Sequence, residues 1–128
     1  MSNTDRCFDI GNTISSALRR FLTDGDPHAG SDHPRSAGNG SIMRLAPVPM
    51  RYAFVPEEAI ARAANSPCTT HACEAAMDAC RYMAGLIVGA LTGVEKEQLL
   101  SSRYCPVEGG WEAMSGHRRN RPGVVQAP

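Results

Sequence analysis

The sequence has few aromatic residues and no useful stretch in which apolar and polar residues alternate. Phe, Trp and Tyr make up 5% of its 128 residues, although 42% of the residues are hydrophobic. Sheets favour aromatic and β-branched residues in alternation, whereas small side chains let neighbouring helices approach closely. The composition therefore predicts an all-α fold, a bundle of closely packed helices.

The chain also lacks a net charge, a long hydrophobic run and an apolar N-terminal segment. Thirteen basic residues balance 13 acidic ones, which is not the basic footprint of a nucleic-acid-binding domain. The longest apolar run, Tyr82 to Leu91, is too short to cross a bilayer, and the first residues are too polar for a signal peptide. We therefore expect a cytoplasmic protein with no nucleic-acid or membrane partner.

No Cys-x-x-Cys pair occurs among the five cysteines, so the spacing that structural zinc sites require is missing. An odd number of cysteines without such pairs favours reduced thiols and a reducing compartment. Cys73 and Cys80 are seven residues apart, which places both on one face of a helix as small core residues. His28 and His33 lie in a polar loop and are interpreted as surface residues. The sequence thus predicts no metal ligands.

Apolar spacing and punctuation by Pro and Gly predict five helices. The longest is rich in Ala and Gly, with Thr69 or Thr70 as its N-cap, and we expect it at the centre of the bundle. Gly25 and Gly93 mark C-caps, and Trp111 is expected to pack back onto the bundle. The predicted helices are Thr13–Leu22, a short one from Ile42 that Pro47 ends, Pro56–Ala64, His71–Leu91 and Val94–Leu100.

A glycine-rich turn, Gly38-Asn39-Gly40-Ser41, is the most distinctive local feature. Glycine permits positive φ and close backbone approach to a partner, and Ser41 can cap the short helix that follows. Unpaired N–H groups at a helix start suit an anion such as phosphate. The same tripeptide is also typical of an ordinary turn, so the pattern alone leaves both interpretations open.

Three stretches in this order resemble the ADP-ribosylglycohydrolase family: FDIGNT at 8–13, SAGNGSIMRLAP at 36–47 and TTHA at 69–72. The likeness is greatest to the bacterial members related to dinitrogenase reductase-activating glycohydrolase. The resemblance implies an all-α fold and hydrolysis of the glycosidic bond between ADP-ribose and a protein side chain, classically arginine. It also implies two Mg²⁺ or Mn²⁺ ions held by carboxylates.

The resemblance assigns roles to particular residues. Asp9 and Asn12 would lie beside the distal ribose and the scissile bond as catalytic residues. Gly38, Asn39, Gly40 and Ser41 would receive the diphosphate and the nearby ribose, and His71 would contact the phosphate or the adenosine. From the residues alone, the favoured role of Asp9 is a cap of the first helix, and the favoured role of His71 is an ordinary helix-start residue.

The sequence departs from the family pattern where metal ligands are expected. The family's Thr-Asp-Asp and Asp-x-Asp-Thr motifs do not occur, so we expect the ligands of both cations to be absent from this chain. We interpret residues 1–114 as a partial domain truncated at both ends, and residues 115–128 as a disordered tail.

This interpretation predicts an ADP-ribosylglycohydrolase family protein that is inactive by itself, with ADP-ribose or an ADP-ribosylated protein as partner. The alternatives are a non-catalytic helical module that binds ADP-ribose or a nucleotide, and a helical interaction module. Loss of flanking helices would leave apolar surface exposed and favour self-association.

Overall fold

The computed structural model describes residues 10–114, and these residues are helical without any strand. The predicted all-α fold is therefore confirmed over this part of the chain. Cys7, Asp9 and the predicted tail at 115–128 lie outside the described residues. The helices are α1 (Asn12–Asp24), α2 (Gly40–Met43), α3 (Pro47–Arg51), α4 (Pro56–Asn65), α5 (Glu74–Leu91), α6 (Lys96–Leu99) and α7 (Gly110–Met114), with 3₁₀ turns at Pro34–Ser36 and Ser66–Thr69.

Helices α4 and α5 pack against each other at the centre of the core, with α2 and α3 beside them. The first core cluster, Leu45, Ala63, Cys80 and Ala84, is fully buried. Alanine on both central helices keeps their backbones close. The predicted central position of the long Ala- and Gly-rich helix agrees with this packing.

A second cluster closes the C-terminal part of the described chain, where Trp111 packs beside Ile60. The indole ring lies against Gly85 of α5, where an added Cβ would come within 3.0 Å of Cη2. Its Nε1 donates a hydrogen bond to the carbonyl oxygen of Tyr104 at 3.0 Å. The expectation that Trp111 packs back onto the bundle is therefore confirmed.

The predicted start of the long helix is wrong. Helix α5 begins at Glu74, with Cys73 at the N-cap position, so neither Thr69 nor Thr70 caps it and His71 lies outside it. The chain leaves α4 through the 3₁₀ turn instead, because the carbonyl of Pro67 accepts the N–H groups of Thr70 and His71 at 2.9 and 2.7 Å. The threonine hydroxyls are used elsewhere, as described below.

Two predictions around α2 are also wrong. The helix starts at Gly40, so Ser41 is its second residue and does not cap it. Pro47 opens α3 rather than ending a helix, because a first-turn position needs no N–H donor and suits the fixed φ of proline. The predicted C-cap at Gly25 is confirmed, with φ of 71° and an N–H that donates to the carbonyl of Phe21.

Helix α1 presents an apolar face that the described residues leave largely uncovered. Only Ala17 is buried in this helix, whereas Leu18, Phe21 and Leu22 are 47%, 44% and 82% exposed. Their spacing places them on one face of the helix, and that face does not lie in the described core. None of the described helices is both long enough and apolar enough to span a bilayer.

Candidate functional site

The long loop at 26–40 is hydrogen-bonded through its backbone to the segment that contains His71. The amide of Gly30 donates to the carbonyl oxygen of Cys68 at 2.9 Å. A Cβ at position 30 would lie 2.5 Å from that oxygen and 2.9 Å from the backbone nitrogens of His71 and Ala72. Only glycine permits such a close approach between two backbones. The loop is thereby held beside the 68–72 segment.

The glycine turn lies directly against the His71 imidazole. A Cβ added to Gly38 would be 3.0 Å from Nε2, and one added to Gly40 would be 3.0 Å from Cε1 and 3.2 Å from Ile14 Cδ1. His71 is only 3% exposed. The structure therefore brings together two of the three sequence motifs, with α1 touching them through Ile14.

The positive φ expected for these glycines is not observed. Positive φ occurs at Gly25, Gly93, Gly109 and Gly110 among the described residues, and not at Gly38 or Gly40. Gly40 is the first residue of a right-handed helix. What favours glycine at both positions is the close packing of the turn on the imidazole, whose atoms would lie 3.0 Å from an added Cβ.

Arg44, which sequence reasoning missed, connects α2 to the 3₁₀ turn. Its Nη2 donates to Thr69 Oγ1 and Thr70 Oγ1 at 2.8 Å each, and to the carbonyl oxygen of Ser66 at 3.3 Å. No acidic side chain within residues 10–114 forms an ion pair with Arg44. The arginine in SIMRLAP, three residues after the glycine turn, was the available signal, and it brings to the site a positive charge that no acidic side chain within residues 10–114 pairs.

His71 is neutral at physiological pH. Its Nδ1 lies 2.7 Å from Thr70 Oγ1. Burial lowers the pKa of the imidazole from its usual 6.5, and the positive charge of Arg44 lowers it further. Both effects disfavour the imidazolium form. The neutral ring can therefore form hydrogen bonds but contributes no positive charge.

Ser41 is fully buried and directed into the core. Its Oγ has no hydrogen-bond partner among the described residues. The Cys80 thiol is near enough to interact with it but not in hydrogen-bonding geometry. Burial raises the pKa of that thiol, and Ser41 and Arg44 offset the rise in part. The hydroxyl of Ser41 is therefore enclosed in the core and is not at the surface of the turn.

The remaining predicted site residues lie at the surface or outside the described chain. Asn12 is exposed at the first position of α1, and Asn39 is exposed immediately before α2. Ile14, in the first turn of α1, contacts the glycine turn. Asp9 lies outside the described residues, so its predicted role stays a prediction.

The described residues do not fit a two-cation site. Within residues 10–114, no three His, Cys, Asp or Glu side chains are arranged to hold a metal ion. Mg²⁺ and related hard cations need several oxygen ligands in near-octahedral geometry. No chemical step is assigned to a metal in this part of the chain.

The described residues define an all-α protein in which a glycine turn packs on a buried imidazole. The ADP-ribosylglycohydrolase family model matches residues 1–122. The chain belongs to this family, and the resemblance inferred from its three motifs is confirmed.

Two relatives carry a more specific name, ADP-ribosylarginine hydrolase Tri1. The protein from Pseudomonas putida (strain GB-1) is 35% identical over 96 residues, which cover 75% of this chain and 26% of the relative. The protein from Serratia proteamaculans (strain 568) is 29% identical over 106 residues, which cover 83% of this chain and 29% of the relative. The chain thus matches less than a third of the length of these relatives. No solved structure matches it.

Proposed function

We propose that this chain carries the ADP-ribose-binding part of an ADP-ribosylarginine hydrolase. The ligand is the ADP-ribosyl group of a modified arginine on a protein. The name of both relatives supports the substrate class. The observation that carries the proposal is the contact of Gly38 and Gly40 with the buried His71 ring, because it joins two family motifs that are far apart in sequence.

The proposed diphosphate position is the glycine turn. The backbone amides of Asn39, Gly40 and Ser41 donate to no acceptor within residues 10–114. Backbone N–H groups of this kind suit phosphate oxygens. Arg44 comes three residues after the turn in sequence, and the positive charge of its guanidinium favours an anionic ligand. The His71 imidazole packs against the turn, and the edge of its ring forms part of the proposed diphosphate position.

The proposed catalytic residues are Asp9 and Asn12, following the family resemblance. An acid and an amide three residues apart can orient ribose hydroxyls and a guanidinium leaving group. The family's two Mg²⁺ or Mn²⁺ ions would polarise the ribose and activate water when bound. Asp9 is the one acid that the resemblance assigns to the site. One carboxylate provides too few oxygen ligands for two cations. We therefore propose that this chain alone binds ADP-ribose without cleaving the arginine linkage.

Two assays on the purified chain test the proposal. Calorimetry with ADP-ribose should show binding, and adenosine, which lacks phosphate, should bind much more weakly. Incubation with ADP-ribosylated arginine and Mn²⁺ should release no ADP-ribose. Release that a chelator and Asp9→Ala both abolish would contradict the proposed inactivity. Absence of ADP-ribose binding would contradict the proposed function and favour a helical interaction module.

A further inference from the structure

The hydrogen bonds around His71 have a defined direction. A guanidinium can only donate, so Thr70 Oγ1 accepts from Arg44 Nη2 at 2.8 Å. The same hydroxyl lies 2.7 Å from His71 Nδ1. Thr70 and His71 are both buried, at 7% and 3% exposure. A donor or acceptor of this group that is fully enclosed therefore needs a partner inside the protein.

The hydrogen bonds available to the Thr70 hydroxyl determine which nitrogen of the His71 ring carries the proton. If Nδ1 carried the proton, Thr70 Oγ1 would accept twice, and its own hydrogen would have no acceptor within residues 10–114. An unsatisfied buried donor is costly. If the hydroxyl donates to Nδ1 instead, the hydroxyl hydrogen is used, and the one hydrogen without an acceptor within residues 10–114 lies on Nε2, which is not among the fully enclosed unpaired side-chain atoms of that range. The second arrangement places the ring proton on Nε2.

The neighbouring threonine provides an internal comparison. Thr69 Oγ1 accepts from the same Nη2 at 2.8 Å, and it donates to the carbonyl oxygen of Ser66 at 3.3 Å. No hydrogen bond joins Thr69 to His71 among the described residues. Arg44 thus donates to both hydroxyls, but only the Thr70 hydroxyl is hydrogen-bonded to the imidazole and can determine which ring nitrogen carries the proton.

We propose that Arg44 and Thr70 are positioning residues that fix His71 as the neutral Nε2–H tautomer, with its N–H donor directed at the glycine turn. Nε2 lies on the edge of the ring that faces Gly38, 3.0 Å from where a Cβ there would be. It makes no hydrogen bond within residues 10–114. A phosphate oxygen bound at the turn would meet this donor. That last step rests on the proposed function, whereas the tautomer assignment does not.

The test is the ¹⁵N ring spectrum of the whole chain at neutral pH, recorded without ligand. Long-range ¹H–¹⁵N correlations distinguish a protonated from an unprotonated ring nitrogen, and His71→Gln identifies the signals of His71. We expect an unprotonated Nδ1 and a protonated Nε2. The opposite pattern, or an equal mixture in the wild-type chain, would overturn the assignment.

Variants separate positioning from general stability. Thr70→Val keeps the shape and removes the hydroxyl, so the spectrum should change to a mixture of tautomers. Thr70→Ser should restore the wild-type spectrum, and Thr69→Val should leave it unchanged. A wild-type spectrum in folded Thr70→Val would overturn the role of Thr70, and one in Arg44→Met would overturn the role of Arg44. If a variant does not fold, as judged by circular dichroism, the wild-type spectrum and Thr70→Ser decide.

Calorimetry with ADP-ribose on the same wild-type sample distinguishes the two proposals. The expected tautomer together with ADP-ribose binding supports both. The expected tautomer without binding retains the roles of Arg44 and Thr70 and overturns the proposed function.

Discussion

The imidazole of His71 occupies the space into which a side chain at Gly40 would project, with Cε1 3.0 Å from the position of an added Cβ. The two residues belong to different motifs, and each restricts the size of the side chain at the other position. A larger residue at 40 would displace the ring, and a smaller residue at 71 would leave the turn without support. The contact therefore couples the shape of the turn to the segment before α5.

We predict that Gly40→Ala destabilises the fold by about 1–3 kcal/mol, because the added methyl overpacks the contact with His71. Urea unfolding measures the change. Gly11→Ala is the matched control, since nothing lies within 4 Å of a Cβ there and alanine readily adopts the extended backbone of Gly11, with φ of −64° and ψ of 148°. Equal destabilisation by both substitutions would contradict the packing described here.

A double-mutant cycle tests whether the two residues are coupled. In a His71→Ala background the ring is gone, so Gly40→Ala should cost less than it does in the wild-type chain. Additive effects would mean that Gly40 is constrained by Ile14 or by the backbone rather than by His71.

Stability should fall on acidification because of His71. The pKa of this group is lower in the folded chain than its usual 6.5, so the unfolded chain binds the proton more tightly. Its contribution to stability is complete above the unfolded pKa and is lost as pH falls towards the folded pKa. We expect the free energy of unfolding to decrease between about pH 7.5 and about pH 5.

His71→Gln is the control for this pH dependence. Glutamine keeps a polar side chain and does not titrate, so the variant should show a smaller decrease over the same range. An identical pH profile in both proteins would assign the effect to other groups and contradict the lowered pKa of His71.

The same substitution at two leucines tests where the core lies. Leu45 is fully buried in the first cluster, so Leu45→Ala should cost about 2–5 kcal/mol. Leu22 is 82% exposed, so Leu22→Ala should change stability by less than about 0.5 kcal/mol. Unfolding curves measured under identical conditions check both values. A comparable loss at Leu22 would show that α1 is packed in solution.

The exposed apolar face of α1 predicts self-association. Leu18, Phe21 and Leu22 form an uncovered patch among the described residues, and such patches favour contact between copies. Sedimentation velocity should show association that increases with concentration and decreases in Leu22→Glu. Arg20→Glu, which adds the same carboxylate on this helix, should decrease it less. A monomeric wild-type chain at all concentrations would contradict the prediction.

Local signals in the sequence were sufficient for much of the fold. Pro56 and Gly25 fixed a helix start and a helix end, because their effects depend only on their own backbone. Thr70 and Ser41 were assigned wrongly as caps because tertiary contacts decide their roles. The hydroxyl of Thr70 bonds to Arg44 and His71, and Ser41 is buried in the core.

In the candidate site, too, the sequence predicts local features but not the tertiary contacts. The motifs identified the glycine turn and His71, but not that the ring fills the space beside Gly38 and Gly40. Periodicity and spacing carry no information on a contact between segments so far apart in sequence. Arg44 was missed for this reason, since an arginine after a turn is typical of a solvated surface until its partners are known.

The central claim, that the glycine turn on His71 binds ADP-ribose, is tested most directly by calorimetry on matched variants. The wild-type chain and Leu22→Ala should bind ADP-ribose with equal affinity. His71→Ala and Gly40→Val, each shown by circular dichroism to be folded, should bind at least about tenfold more weakly. Equal affinity in all four proteins, or no binding by the wild-type chain, would contradict the account.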